Sequence, residues 1–101
     1  WHAHEHTLDR LCLPTGRLLL VLYDAREGSP TFGQLNQFRY GEHRPGMVSV
    51  PPRVWHGVKN LGPGPSILVN IVDKAYAYED PDHYRVPADS DEIPFDIIGA
   101  R

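Results

Sequence analysis

Ten prolines and nine glycines are spread through a chain of 101 residues, and no window between them sustains the apolar period of a helix. Proline removes a backbone donor and clashes with the turn before it, while glycine in a helix interior gives up the most backbone entropy. The runs left between these breaks are short and rich in Val, Ile, Leu, Phe and Tyr. They read as strands at Arg10–Leu13, Arg17–Tyr23, Leu35–Tyr40, Met47–Val50, Val54–Lys59 and Ser66–Val72. Turn signals separate them: PTG at 14–16, REGSPTFG at 26–33, GEHRPG at 41–46, PP at 51–52 and NLGPGP at 60–65. Strands at this spacing without a helix predict an all-β, antiparallel sandwich or barrel. The length suits one compact domain over residues 1–101. From Ala75 the pattern changes to alternating acids, aromatics and prolines, so residues 75–101 are expected to form an irregular arm over the sheet.

Composition removes several classes of function. The apolar fraction is 41% and the formal charge is −3, with no basic face, so nucleic acid is not an expected partner. The most apolar run, LLLVLYD at 18–24, is too short to span a bilayer, and no membrane association is expected. No basic start followed by an apolar stretch and a cleavage site precedes residue 20, which predicts a cytoplasmic protein. The lone Cys12 excludes an intramolecular disulfide. A chain that opens on Trp1 reads as a fragment lacking strands upstream.

The chemistry concentrates in WHAHEHTLDR at the start of the chain. On a strand, alternate side chains share a face, so His2 and His4 are expected to project together into a cavity. A second stretch, PGMVSVPPRVWHGVKN, supplies Pro51, His56 and Asn60. Two or three imidazoles with one carboxylate suit a first-row divalent metal. His6, His43 and His83 lie in contexts that predict solvent exposure.

The two stretches resemble the paired motifs of the cupin superfamily, a small jelly-roll β-barrel. The first motif, His-X-His, then Glu, then Gly, is matched by His2, His4 and Gly16, with Asp9 in place of Glu. In the second, Pro51, His56 and Asn60 match, Gly46 lies one residue closer to the proline, and Arg53 replaces the inner glycine. The segment YDAREGSPTFG at 23–33 is similar to the hairpin of the dTDP-4-dehydrorhamnose 3,5-epimerases, as are Trp1–His4, Pro51–Gly57 and the stretch near Asp89–Phe95.

That resemblance implies a sugar-nucleotide epimerase or isomerase of polysaccharide biosynthesis, which removes a proton beside the keto group of a dTDP-4-keto sugar without a cofactor. It implies His2 as base and His56 as the second catalytic candidate, with His4, Trp55, Arg10 and Tyr76 as candidates for holding the nucleotide sugar. Two departures stand out: the family's enolate-stabilising Lys falls on Asp9, and its proton-donating Tyr falls on Val69. Tyr76 or Tyr78 offers a phenol nearby. Two other readings stay open: a metal-binding cupin that holds a divalent transition metal on His2, His4, Asp9 and His56, and a non-catalytic carbohydrate-binding cupin. An open strand edge on so short a domain predicts a homodimer.

Overall fold

The computed structural model describes residues 1–101 and contains no helix. Eight strands follow in chain order: β1 His2–Ala3, β2 Asp9–Thr15, β3 Arg17–Tyr23, β4 Leu35–Gly41, β5 Met47–Val50, β6 Trp55–Asn60, β7 Ile67–Val72 and β8 Tyr84–Arg85. They form two antiparallel sheets, one ordered β4-β3-β6-β1-β8 and the other β5-β2-β7. This is the all-β, antiparallel sandwich expected from the punctuation.

The strand β3 explains the architecture. Leu18, Leu19, Leu20, Val21 and Leu22 are all buried, so both faces of this strand are covered and its sequence runs apolar instead of alternating. Leu20 and Leu22 point between the sheets, where they meet Leu11, Val48, Val50 and Val54. Leu19 and Val21 point the other way and pack with Trp1, Ile93 and Ile97. The second core therefore lies outside the sandwich, under the C-terminal segment. Apart from β8 that segment is irregular, yet it places Ile93 and Ile97 at 3% and 6% exposure.

Two loop positions fix how the strands enter the site. Gly16, between β2 and β3, has φ +83°, and a Cβ there would come within 2.6 Å of the Ser66 backbone. The chain turns there because only glycine fits. Arg53, where the cupin pattern has glycine, also has positive φ (65°), and its N–H donates to the His4 carbonyl at 2.5 Å. The left-handed turn is kept without the residue that adopts it most readily.

In contrast to the core strands, β7 is exposed at every residue. It is an edge strand, and Ile67, Val69, Ile71 and Val72 are each between 44% and 54% exposed.

Candidate functional site

Four imidazoles and one carboxylate converge where the two ends of the chain meet. His2 on β1 pairs in register with His56 on β6, and β8 adds Arg85 on the other side of His2. His4 lies just past β1, and His83 just before β8. Ring centroids are 4.8 Å apart for His2 and His83, 5.4 Å for His4 and His83, 5.6 Å for His4 and His56, and 6.2 Å for His2 and His56.

Asp9 is the hub. It is 1% exposed, and its Oδ2 lies 3.1 Å from His4 Nε2 and 3.4 Å from His56 Nε2. The other nitrogens face carbonyls: His4 Nδ1 donates to Asp82 at 2.5 Å, and His56 Nδ1 to Val54 at 3.3 Å. A carbonyl and a carboxylate both only accept, so each ring makes both of these bonds only with hydrogen on both nitrogens. Burial by itself would raise the Asp9 pKa, but the bond from His56, the Asn70 side chain and the nearby imidazoles outweigh it and hold the carboxyl below its ordinary range. The Oδ1 of Asp9 is buried without a partner.

Two carboxylates hold the loop between β1 and β2: Asp73 accepts the Leu8 N–H at 2.9 Å, and Asp82 holds the rest. Asp82 accepts the N–H groups of Glu5, His6 and Thr7 and the Thr7 hydroxyl, at 2.6–2.9 Å. Burial opposes its ionisation, but these donors bring its pKa to about 2. His83 follows in sequence, and its Nε2 lies 2.6 Å from His2 Nδ1. Burial first, then the charges of His83, the amino terminus, His56 and Arg85, push the His2 pKa down to about 4. His83 is also lowered, by burial and then by Arg85, His4 and His56, against the opposing pull of Asp9. Both rings of this pair are therefore held neutral at ordinary pH.

A cavity of about 450 Å³ opens on this cluster, with His4, Asp9 and His83 on one side and Asn70, Lys74 and Tyr76 on the other. A larger cleft of about 630 Å³ between Gly16–Arg17 and Gly62–Pro65 has no buried titratable group in its walls.

No protein-family model matches the chain. It is 45% identical over 90 residues to the protein described as "Probable low-salt glycan biosynthesis epimerase Agl13" of Haloferax volcanii, a match covering 88% of this chain and 58% of that protein. It is 36% identical over 95 residues to the spore coat polysaccharide biosynthesis protein SpsL of Bacillus subtilis, covering 94% and 63%. The crystal structure of a dTDP sugar isomerase from Desulfovibrio desulfuricans superposes with a TM-score of 0.93 at 33% identity, over the whole of this chain and 64% of that one.

Along nearly its whole length the chain is similar to epimerase-like cupins.

It spans less than two thirds of the length of each of these relatives. The capsular polysaccharide assembling protein CapF of Staphylococcus aureus shares the fold alone, at 16% identity and a TM-score of 0.70 over 82% of this chain.

The residues singled out in the sequence divide into two groups. His2, His4, Asp9 and His56 come together, and Tyr76 lines the cavity with His4 and Asp9, but His2, expected to project into the cavity beside His4, is turned to His83 and His56 and stays out of its wall. Trp55 and Arg10 do not reach it. Trp55 alternates with His56 along β6, faces the opposite side of the sheet and packs on the outer core with Trp1. Arg10 sits between buried Asp9 and Leu11, so it points out of the sandwich. Two other strand arginines also lie away from the cavity: Arg39 donates to the Arg101 carbonyl, and Arg17 lines the remote cleft. His6 is exposed as expected, at the cavity rim.

Two residues of the cavity were not legible as site residues. His83 is expected at the surface from its turn-like context, yet it bonds His2 and lines the cavity. Lys74, from the loop after β7, also lines the cavity. Val69 is paired with Cys12 and 44% exposed, on the outer face, so nothing at that position can donate a proton into the cavity.

Proposed function

We propose that this chain removes and returns a proton beside the keto group of a dTDP-4-keto sugar, as an epimerase or isomerase of glycan assembly. The observation that carries the proposal is the clustering of His2, His4, His56 and His83 around buried Asp9, with His4, Asp9 and His83 in the wall of one cavity. A proton next to a ketone is weakly acidic, so its removal needs a neutral base and a donor or cation for the enolate oxygen. Neutral His2 and His83 meet the first need, and Lys74 and Tyr76 bring an ammonium and a phenol for the second. The names of the relatives support a sugar nucleotide as the substrate class. In this reading His2 and His56 belong to the reacting cluster and His4 and Tyr76 contact the substrate. Residues 1–101 act as one domain in the cytoplasm, where nucleotide sugars are made. The apolar outer face and open edge of β7 support pairing with a second copy.

With no tyrosine at position 69, two inversions on one sugar are not expected. Incubation with a dTDP-4-keto sugar in deuterated water should give deuterium at a carbon beside the ketone, read by mass, with a single inversion or a shifted carbonyl in the product by NMR. Absence of deuterium and of product would refute the reading.

One observation favours a second function, that of a metal-binding cupin. His4, Asp9 and His56 each offer a ligand atom within 4.8 Å of the others, and Asp9 Oδ1 lacks a partner. This donor set fits a divalent transition metal. Metal analysis of purified protein separates the readings, since only the second requires stoichiometric metal.

A further inference from the structure

The resemblance that suggested a base in the first motif points to His2, but the cavity has a different wall. His83, His4 and Asp9 line it, whereas His2 and His56 do not. His2 and His83 share one short bond, Nδ1 to Nε2 at 2.6 Å, which occupies one nitrogen on each ring. His83 lines the cavity, and its Nδ1 has no protein partner.

We infer that His83, held by His2, is the imidazole that meets the sugar ring and moves its proton. This deepens the proton-abstraction reading above and rests on it. The position is rigid on both sides. Asp82 ties the preceding residue to the N–H groups of Glu5, His6 and Thr7, and its carbonyl takes the His4 Nδ1 proton. The following residues, Tyr84 and Arg85, are in register with Ala3 and His2. A side chain held between two such anchors keeps its orientation through the reaction.

The step balances within the residues present. The C–H bond beside the ketone breaks, its electron pair passes into the enolate, and the proton joins His83 Nδ1. The hydrogen on His83 Nε2 stays in the bond to His2 Nδ1, so the single positive charge is spread over both rings. Lys74, whose Nζ lies 3.5 Å from Asp73 Oδ2, lines the same cavity and offsets the enolate charge, while the Tyr76 hydroxyl gives the returning proton and regains one from solvent as His83 releases its own. His2 acts through His83 and is a positioning residue.

Deuterium entry from deuterated water into a dTDP-4-keto sugar tests this with H83A, H83Q and H2N. General base catalysis contributes about 100-fold or more, so H83A should lose at least that factor in kcat with KM within about threefold of wild type. Free imidazole should restore part of the rate in H83A but none in H83Q, where the cavity stays filled. H2N should lose about tenfold. Exchange in H83A within about threefold of wild type, with H2N inactive, overturns the assignment to His83 and leaves the epimerase reading standing. No exchange in the wild-type protein overturns both. Should the variants fail to fold, long-range proton–nitrogen spectra of the wild-type protein decide: adding the sugar nucleotide should move the His83 ring signals more than those of His2, and the reverse order overturns the inference.

Discussion

Replacing Asp24 with Asn should destabilise the chain by about 2–3 kcal/mol, which for a domain of this size lowers Tm by roughly 10–20 °C. Asp24 closes the loop between β3 and β4 and is 5% exposed. Its two oxygens accept both Nε and Nη2 of Arg26 at 2.9 Å, the Arg26 N–H at 2.9 Å and the Ser29 hydroxyl at 2.8 Å, together with the Thr31 hydroxyl. Asn offers one acceptor where the carboxylate offers two and turns a donor toward Arg26. Loss of one partner from a fully buried pair costs about 3–5 kcal/mol, and the guanidinium here keeps 23% side-chain exposure, which sets the lower figure. The Arg26 guanidinium above all, with the hydroxyls and the backbone N–H of residue 26, holds the Asp24 carboxyl far below its ordinary value of 3.8 against the opposing effect of burial. A depressed folded pKa means the contribution is complete above that value and fades as pH falls below it. Thermal melts from pH 7 to pH 2 should therefore show wild type and D24N far apart at neutral pH and converging in acid. Equal melting temperatures at pH 7, or a gap that does not narrow in acid, would refute this account of the loop.

Two further substitutions probe the backbone. Arg53→Gly should raise stability by about 0.5–1 kcal/mol, because the φ of 65° is costly for a side-chain-bearing residue; urea melts showing a loss would refute it. Gly57→Ala should cost about 1–3 kcal/mol, since a Cβ there would sit 2.9 Å from the Trp1 ring and 3.2 Å from Ile97 Cδ1; a neutral effect on the urea midpoint would mean that the outer core yields.

Much of this architecture is legible in the sequence because strands bounded by proline and glycine have few ways to extend. The run at 17–23 and the run at 47–50 appear with the bounds the punctuation gives. The alternation of His2 and His4 points to β1, but the two-residue strand β8 is not legible, since it exists only through its partner and has no periodic pattern of its own. The same physics divides the site. His2, His4, Asp9 and His56 are visible because local spacing fixes them. His83 is invisible because its partner is 81 residues away. Trp55 and Arg10 show the opposite lesson: each adjoins a site residue along a strand, and the alternation that buries His56 and Asp9 turns its neighbour to the other face. The Asp-X-Arg-X-Gly-Ser-Pro-Thr segment also gains a physical meaning, as a loop whose polar residues bond Asp24.

The bonds from Asp82 to Glu5, His6 and Thr7 join positions 75 to 77 residues apart, whereas the β3–β4 hairpin closes over a short loop. Closing a long loop must be completed before its contacts return any energy, so the hairpin forms early and the histidine cluster late. The reverse order governs opening. Fluctuations that free residues 82–85 from β1 separate His83 from His2 while both cores remain packed, so amide protons at Glu5, His6 and Thr7 should exchange with solvent well before those of β3. The chemistry of this chain would then be lost at temperatures or denaturant concentrations at which its fold still reads as intact.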